Sequence, residues 1–277
     1  MCHRFEMVSG EEADAVLDWL RAVRRALASG AGAATVVPPA FGRPVDVPFD
    51  ALDCYPGAES SGIVVARDGG IVSVPMIWGF SVSWQRNVVF NARIESALSG
   101  SGLWSDAVEG GRCIVPVRAF YETRNVENAA SVGAGAALVE DAPFGASDPA
   151  ELTRGAVADV EQGILGLDGN PAASASRRPR GRKSQYRFSN AGGTALLLAG
   201  LRLGDRFVLV TCEPDAVVGH VHSRMPLSLT APEALAWLDR STDARDLLAR
   251  HVPVPLESQE EPAPTKRPAD PDQMSLF

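Results

Sequence analysis

Lysine is nearly missing from this chain: Lys183 and Lys266 are the only two, so almost all of its positive charge is arginine. The planar guanidinium fork suits phosphate recognition, although an arginine-rich coding bias gives the same composition. Long apolar runs are missing too. No stretch approaches the roughly 20 residues needed to span a bilayer. The start, Met1-Cys2-His3-Arg4-Phe5-Glu6, runs into a polar amphipathic segment rather than a secretory signal, which points to a cytoplasmic protein. Cysteines are few and scattered. Cys2, Cys54, Cys113 and Cys212 have neither the paired spacing of a zinc site nor the density of a disulfide scaffold. They fit a reduced compartment and imply no metal and no cofactor.

What is present suits a soluble globular chain. Its 277 residues, 45% hydrophobic and 22% charged, can bury a full core, and one main domain with appendages is the simplest organisation. The net charge of -8 is unevenly spread. Residues 125 to 176 hold Glu127, Glu140, Asp141, Asp148, Glu151, Asp159, Glu161 and Asp168 against Arg154 alone. The last 21 residues are acidic as well. The remainder is slightly basic, which permits a local DNA groove.

Ser9 and Glu12 form a capping-box pattern, and Val16, Leu17, Leu20, Val23 and Leu27 follow at helical spacing, predicting a helix over 11–29. Short β-branched runs bounded by Gly and Pro predict strands at 63–65, 71–77, 88–90, 113–117, 195–201 and 207–210. Thr230 with Glu233, and Pro232 in the first turn, predict a second capped helix, followed by another over 244–250. Strands and helices do not alternate regularly. The expected class is α+β with a mixed, mainly antiparallel sheet system. Between Arg124 and Lys183 the pattern dissolves into Ala, Gly, Ser, Pro and acidic residues. The expected organisation is therefore a domain over 1–124, a disordered acidic insertion over 125–182 ending in a basic run, the domain resumed over 183–253, and a disordered tail over 254–277.

Four blocks, in order, carry chemistry. They are Met1-Cys2-His3-Arg4-Phe5; Trp78-Gly79-Phe80 through Trp84 to Asn91-Ala92-Arg93-Ile94-Glu95; Arg112-Cys113-Ile114-Val115-Pro116 with Phe120-Tyr121-Glu122; and Ala199-Gly200-Leu201 with His222-Ser223-Arg224-Met225-Pro226. Together they resemble the SOS-response-associated peptidase (SRAP) family, with His3, Thr123 and Arg202 as departures from its pattern. The resemblance implies a barrel-like core of strands with flanking helices.

If Met1 is removed, Cys2 carries a free amine and a thiol on one residue. The amine, with a pKa of about 7.7 to 8.0, is substantially neutral near physiological pH and can attack an aldehyde. The thiol can then close a five-membered thiazolidine, which an internal cysteine cannot do. The resemblance implies that the aldehyde is the opened sugar of an abasic site in single-stranded DNA. It also implies that Asn91 holds the Cys2 amine or the thiazolidine, that His222 helps open the sugar, and that Glu122 relays protons. Arg4, Arg93 and Arg224 each stand two residues after a member of this set. In extended chain that spacing puts both side chains on one side, so these arginines are expected either to bind phosphates or to pair with a carboxylate such as Glu95. Trp84 is a candidate for stacking on a base, and Trp78 for stacking or core packing.

Other roles fit parts of the pattern. Cys2 would also serve as the N-terminal nucleophile of a peptidase or amidohydrolase. A non-catalytic, clamp-recruited DNA-binding module is a third possibility. The C-terminal Gln273-Met274-Ser275-Leu276-Phe277 looks like a bacterial sliding-clamp-binding peptide. Gln273 would supply polar anchoring, and Met274, Leu276 and Phe277 would fill an apolar pocket at the end of a flexible tether.

Overall fold

The computed structural model describes residues 2–41, 51–83, 88–99, 104–124 and 184–261. The helix predicted from Ser9 and Glu12 is α1, Gly10–Ala28, with both capping-box hydrogen bonds formed: Ser9 N–H donates to Glu12 at 2.8 Å and Glu12 N–H to Ser9 Oγ at 3.3 Å. Its apolar stripe, Ala13, Val16, Leu17, Leu20 and Val23, is buried.

The strands are β1 (Phe5–Met7), β2 (Asp53–Cys54), β3 (Glu59–Val65), β4 (Ile71–Trp78), β5 (Asn91–Arg93), β6 (Arg112–Thr123), β7 (Gln185–Asn190), β8 (Leu196–Leu203), β9 (Arg206–Cys212), β10 (Met225–Pro226), β11 (Ser228–Leu229) and β12 (Leu256–Glu261). Most pairings are antiparallel; β4 and β5 run parallel to β9. The pairings β3–β4, β4–β9, β9–β8, β8–β6 and β6–β3 close a ring. This mixed α+β architecture agrees with the expected class.

β6 and β8 explain why their sequences read as continuous apolar runs. Cys113, Val115, Val117, Leu196 and Leu198 enter one core cluster with Phe5, Trp78, Phe120, Phe188 and Phe207. Their alternate neighbours, Ile114, Leu197, Ala199 and Leu201, enter another, which α1 shares with α5 (Ala231–Leu238). Strands buried on both faces lose the polar alternation that marks a solvent-facing strand. Gly200 lies where β8 crosses this packing. A Cβ there would meet Cys113 Sγ at 2.8 Å, so only glycine fits without movement.

Several elements differ from those read in the sequence. The strand expected at 88–90 lies at Asn91–Arg93, because Val89 makes only an isolated bridge to Phe80 before the chain joins β9. Short helices α2 (Ile94–Leu98) and α3 (Ser105–Gly110) were not foreseen. The tail expected from 254 is also corrected, because Leu256–Glu261 forms β12 and pairs with β7 along its whole length. Its sequence, Leu-Glu-Ser-Gln-Glu-Glu, lacks an apolar alternation because it is an edge strand with mostly exposed side chains. The later helices, α5 with its capping box and α6 (Ala244–Ala249), match expectation. α4 (Ala216–Gly219) is a single turn capped by Asp215.

The expected insertion lies outside the described residues, but its flanks are fixed. Thr123 pairs with Gln185, and Arg124 N–H donates to the Ser184 carbonyl at 3.1 Å. The intervening chain therefore leaves and returns at the tip of the β6–β7 hairpin.

Candidate active site

Four elements deliver the predicted set to one place. β1 pairs with β6, Phe5 opposite Phe120, so the residues preceding β1 lie beside the end of β6, where Glu122 stands. β5 carries Asn91 at its first position, opposite Leu209 of β9. β10 pairs with β9 on its other registers, Met225 opposite Cys212, and this brings in the preceding loop with His222. The His222 N–H also donates to the Val218 carbonyl of α4 at 3.0 Å, fixing the loop.

Within this arrangement Asn91 Nδ2 donates to the Cys2 carbonyl at 2.8 Å. His222 Nε2 lies 3.9 Å from Glu122 Oε2. The Cys2 thiol is buried and donates to the Arg4 carbonyl at 3.4 Å. Burial raises its pKa first of all, and the charge of Glu122 adds to this, so the thiol is neutral at physiological pH. Burial also pushes the Glu122 carboxyl up to about 7. The His222 ring moves the other way, lowered by burial. Arg224 N–H faces His222 Nδ1 at 3.0 Å. If that nitrogen accepts, the neutral ring carries its proton on Nε2, the nitrogen facing Glu122. Burial thus favours the protonated carboxyl and the neutral ring, and the two groups face one another where a proton can be taken up or released.

The three arginines have three different environments. Arg4 is 1% exposed: its guanidinium pairs with Asp53 at 2.8 Å and donates to Gln185 Oε1 at 2.7 Å. The expectation of a phosphate contact from Arg4 is corrected by this burial, because its charge is already met inside the protein. Arg224 forms the foreseen carboxylate pair, with both terminal nitrogens 2.9 Å from the two Glu95 oxygens, and also donates to the Thr211 carbonyl. Arg93 is exposed at the β5–α2 junction. Trp78 is a core residue. It is fully buried, its Nε1 donates to the Phe90 carbonyl at 2.8 Å, and its ring lies 4.7 Å from that of Phe5. Trp84, Gln273, Met274, Leu276 and Phe277 fall outside the described residues.

Sequence reasoning missed Asp53, Tyr121 and Gln185, which surround Arg4. The Arg4 guanidinium carbon lies 3.8 Å above the Tyr121 ring. No local signal marks Asp53 or Gln185, since each is a lone polar residue whose partner is far away in sequence.

The strand ring and the convergence of an N-terminal cysteine segment with Asn, Glu and His define a class of α+β protein with a cysteine-centred site. Residues 1–133 match the family model of SRAP, SOS response associated peptidase. Over that segment, a little under half of the chain, the protein is similar to the family that its motif blocks resemble. The family's name associates it with the SOS response and with peptidase activity. His222 and Arg224 lie beyond the matched segment and are brought to it by the fold.

Solved structures share the architecture. A phage-related protein of Bordetella bronchiseptica is 18% identical with a TM-score of 0.55, the match covering 94% of each chain. A second protein of the same organism is 17% identical with a TM-score of 0.51, over 95% of this chain and 100% of that one. A protein of Bacteroides thetaiotaomicron is 14% identical with a TM-score of 0.51, over 94% and 91%. At such identities the likeness is one of fold alone. No curated protein sequence matches this chain. Among the described residues, no helix is long and apolar enough to cross a membrane.

Proposed function

We propose that the protein captures abasic sites in single-stranded DNA as a covalent thiazolidine on Cys2. The observation that carries this reading is the meeting of Cys2 with Asn91, Glu122 and His222, residues from four separate parts of the chain. Removal of Met1 puts a free amine on the residue whose carbonyl Asn91 holds.

The abasic sugar opens when its C1′ hydroxyl loses a proton and the C1′–O4′ bond breaks, with O4′ taking up a proton. Glu122 accepts the first proton and His222 supplies the second. The Cys2 amine adds to the C1′ aldehyde, and water leaves as the imine forms. The thiol then adds to the imine carbon, its proton passing to the nitrogen as the S–C1′ bond closes the ring. The balance is aldehyde plus aminothiol giving thiazolidine and one water, with no oxidant or reductant. Holding amine, thiol and proton carriers in one place supplies the proximity such a sequence needs.

The test uses full-length protein whose Met1 is absent by intact mass. With single-stranded DNA containing an abasic site, a denaturant-resistant adduct is expected for wild type and none for Cys2→Ala. No adduct from wild type, or equal adduct from Cys2→Ala, overturns the reading.

The family's name favours a second reading, in which the same Cys2 acts as an N-terminal nucleophile on an amide. Burst release from amide substrates without any DNA adduct would establish it in place of the first. We also propose that Gln273, Met274, Leu276 and Phe277 recruit the protein to the bacterial sliding clamp. Deleting residues 273–277 should abolish clamp binding while leaving adduct formation on free DNA unchanged.

A further inference from the structure

Arg4 makes contacts that no phosphate-binding role requires. Its side chain crosses β6 over the Tyr121 ring at 3.8 Å and reaches Gln185 on β7, while its other terminal nitrogen meets Asp53 on β2. Arg4 is 1% exposed and the Asp53 side chain 3%. The backbone of Arg4 is tied down as firmly. Its carbonyl accepts from the Tyr121 N–H at 3.0 Å and from the Cys2 thiol at 3.4 Å.

We infer that Arg4, clamped by Asp53 and Gln185 across β2, β6 and β7, is a positioning residue that fixes the Cys2 thiol beside Glu122. The inference rests on the reading of Cys2 as the reacting residue. Cys2 precedes β1 and lies outside the strand ladder, so its place is set by contacts to its carbonyl and its thiol, the Tyr121 backbone among them. Asn91 holds its carbonyl, and the Arg4 carbonyl holds its sulfur. Tyr121 is the neighbour of Glu122 on β6, so the N–H that anchors Arg4 belongs to the residue preceding the proton carrier. Burying a guanidinium in this way is costly unless the pair and its hydrogen bonds are well made. A short terminal segment gains a fixed geometry from that burial, and misplacing reacting atoms by about 1 Å can cost a hundredfold in rate.

A neighbouring pair serves as the control. Glu6, two residues on and on the same side, pairs with Arg187 at 2.9 Å and is also buried. It stabilises the same strands without holding Cys2.

The experiment measures two things on full-length protein lacking Met1: the alkylation rate of Cys2 by iodoacetamide, read by peptide mapping, and the single-turnover rate of adduct formation. Asp53→Asn and Gln185→Ala are expected to speed Cys2 alkylation about tenfold and slow the maximal adduct rate about tenfold, with little change in the DNA concentration giving half-maximal rate. Gln185→Glu, which keeps the acceptor, is expected to stay near wild type. Glu6→Gln is expected to lower the melting temperature while leaving Cys2 alkylation within about twofold. Using both Asp53→Asn and Gln185→Ala keeps the test open if one variant fails to fold. Cys2 alkylation in these variants no faster than in Glu6→Gln overturns the inference. If alkylation responds as expected but wild type forms no adduct, the clamp stands and the proposed function fails.

Discussion

Glu122 and His222 face one another at 3.9 Å across the site, the carboxyl raised to about 7 and the imidazole lowered, both by burial. The arrangement has a stability consequence with a definite sign. Glu122 binds its proton more tightly folded than unfolded, so stability falls as pH rises from the ordinary carboxyl value of 4.5 through 7. Above that window its ionisation costs up to about 3 kcal/mol. Glu122→Gln should therefore be more stable than wild type at pH 8 and match it near pH 4, as urea unfolding at the two pH values will show. Its adduct rate should drop at pH 8, where the wild-type carboxylate is ionised, and differ little from wild type near pH 4.

The Arg224–Glu95 pair leads to a different expectation. Glu95 is about half exposed, with a side-chain exposure of 56%, and such pairs add about 0 to 1 kcal/mol to stability. Glu95→Gln should change the melting temperature little. It also releases Arg224 toward phosphate, so single-strand binding should tighten and its salt dependence steepen by about 0.7 per additional phosphate contact. Arg93→Ala, which removes an already exposed cation, should do the reverse. Fluorescence anisotropy across a salt series separates the two.

The helices and ring strands were legible because burial writes a period into the sequence. Val16, Leu17, Leu20 and Val23 mark α1, and the apolar runs of β6 and β8 follow from burial on both faces. The site quartet was legible only through the grouping of its motif blocks, since a lone Asn, Glu or His carries no signal of its own. β12 was not legible: its outward positions are polar and its pairing with β7 is made by backbone, which composition does not record. Arg4 was misread for a related reason. Spacing shows that it shares a side with Cys2, but not that Asp53 and Gln185 wait there to bury it.

His3 places a second imidazole near the first. Burial lowers the pKa of His222 first of all, and the charge of His3 lowers it further. His3→Gly should therefore raise the His222 pKa, measurable by NMR titration of the ring. The high-pH limb of adduct formation, where His222 no longer holds the proton it supplies, should move upward with it. An unchanged His222 titration would show that the His3 ring exerts no field on the site.

β12 supplies the last test, because it covers β7, the strand carrying Gln185. Glu261, opposite Gln185, is the one residue of β12 that is buried. A chain ending at Glu261 keeps the whole ladder, and its melting temperature should stay close to that of the full protein. A chain ending at Val254 loses it and leaves β7 as a bare edge, open to pairing with other chains. Its melting temperature should fall by about 5 °C or more, with concentration-dependent association visible by light scattering. Hydrogen exchange should also rise across Gln185–Asn190. If exchange there matches the full protein while the melting temperature falls, β7 holds without its partner and β12 stabilises some other part of the molecule.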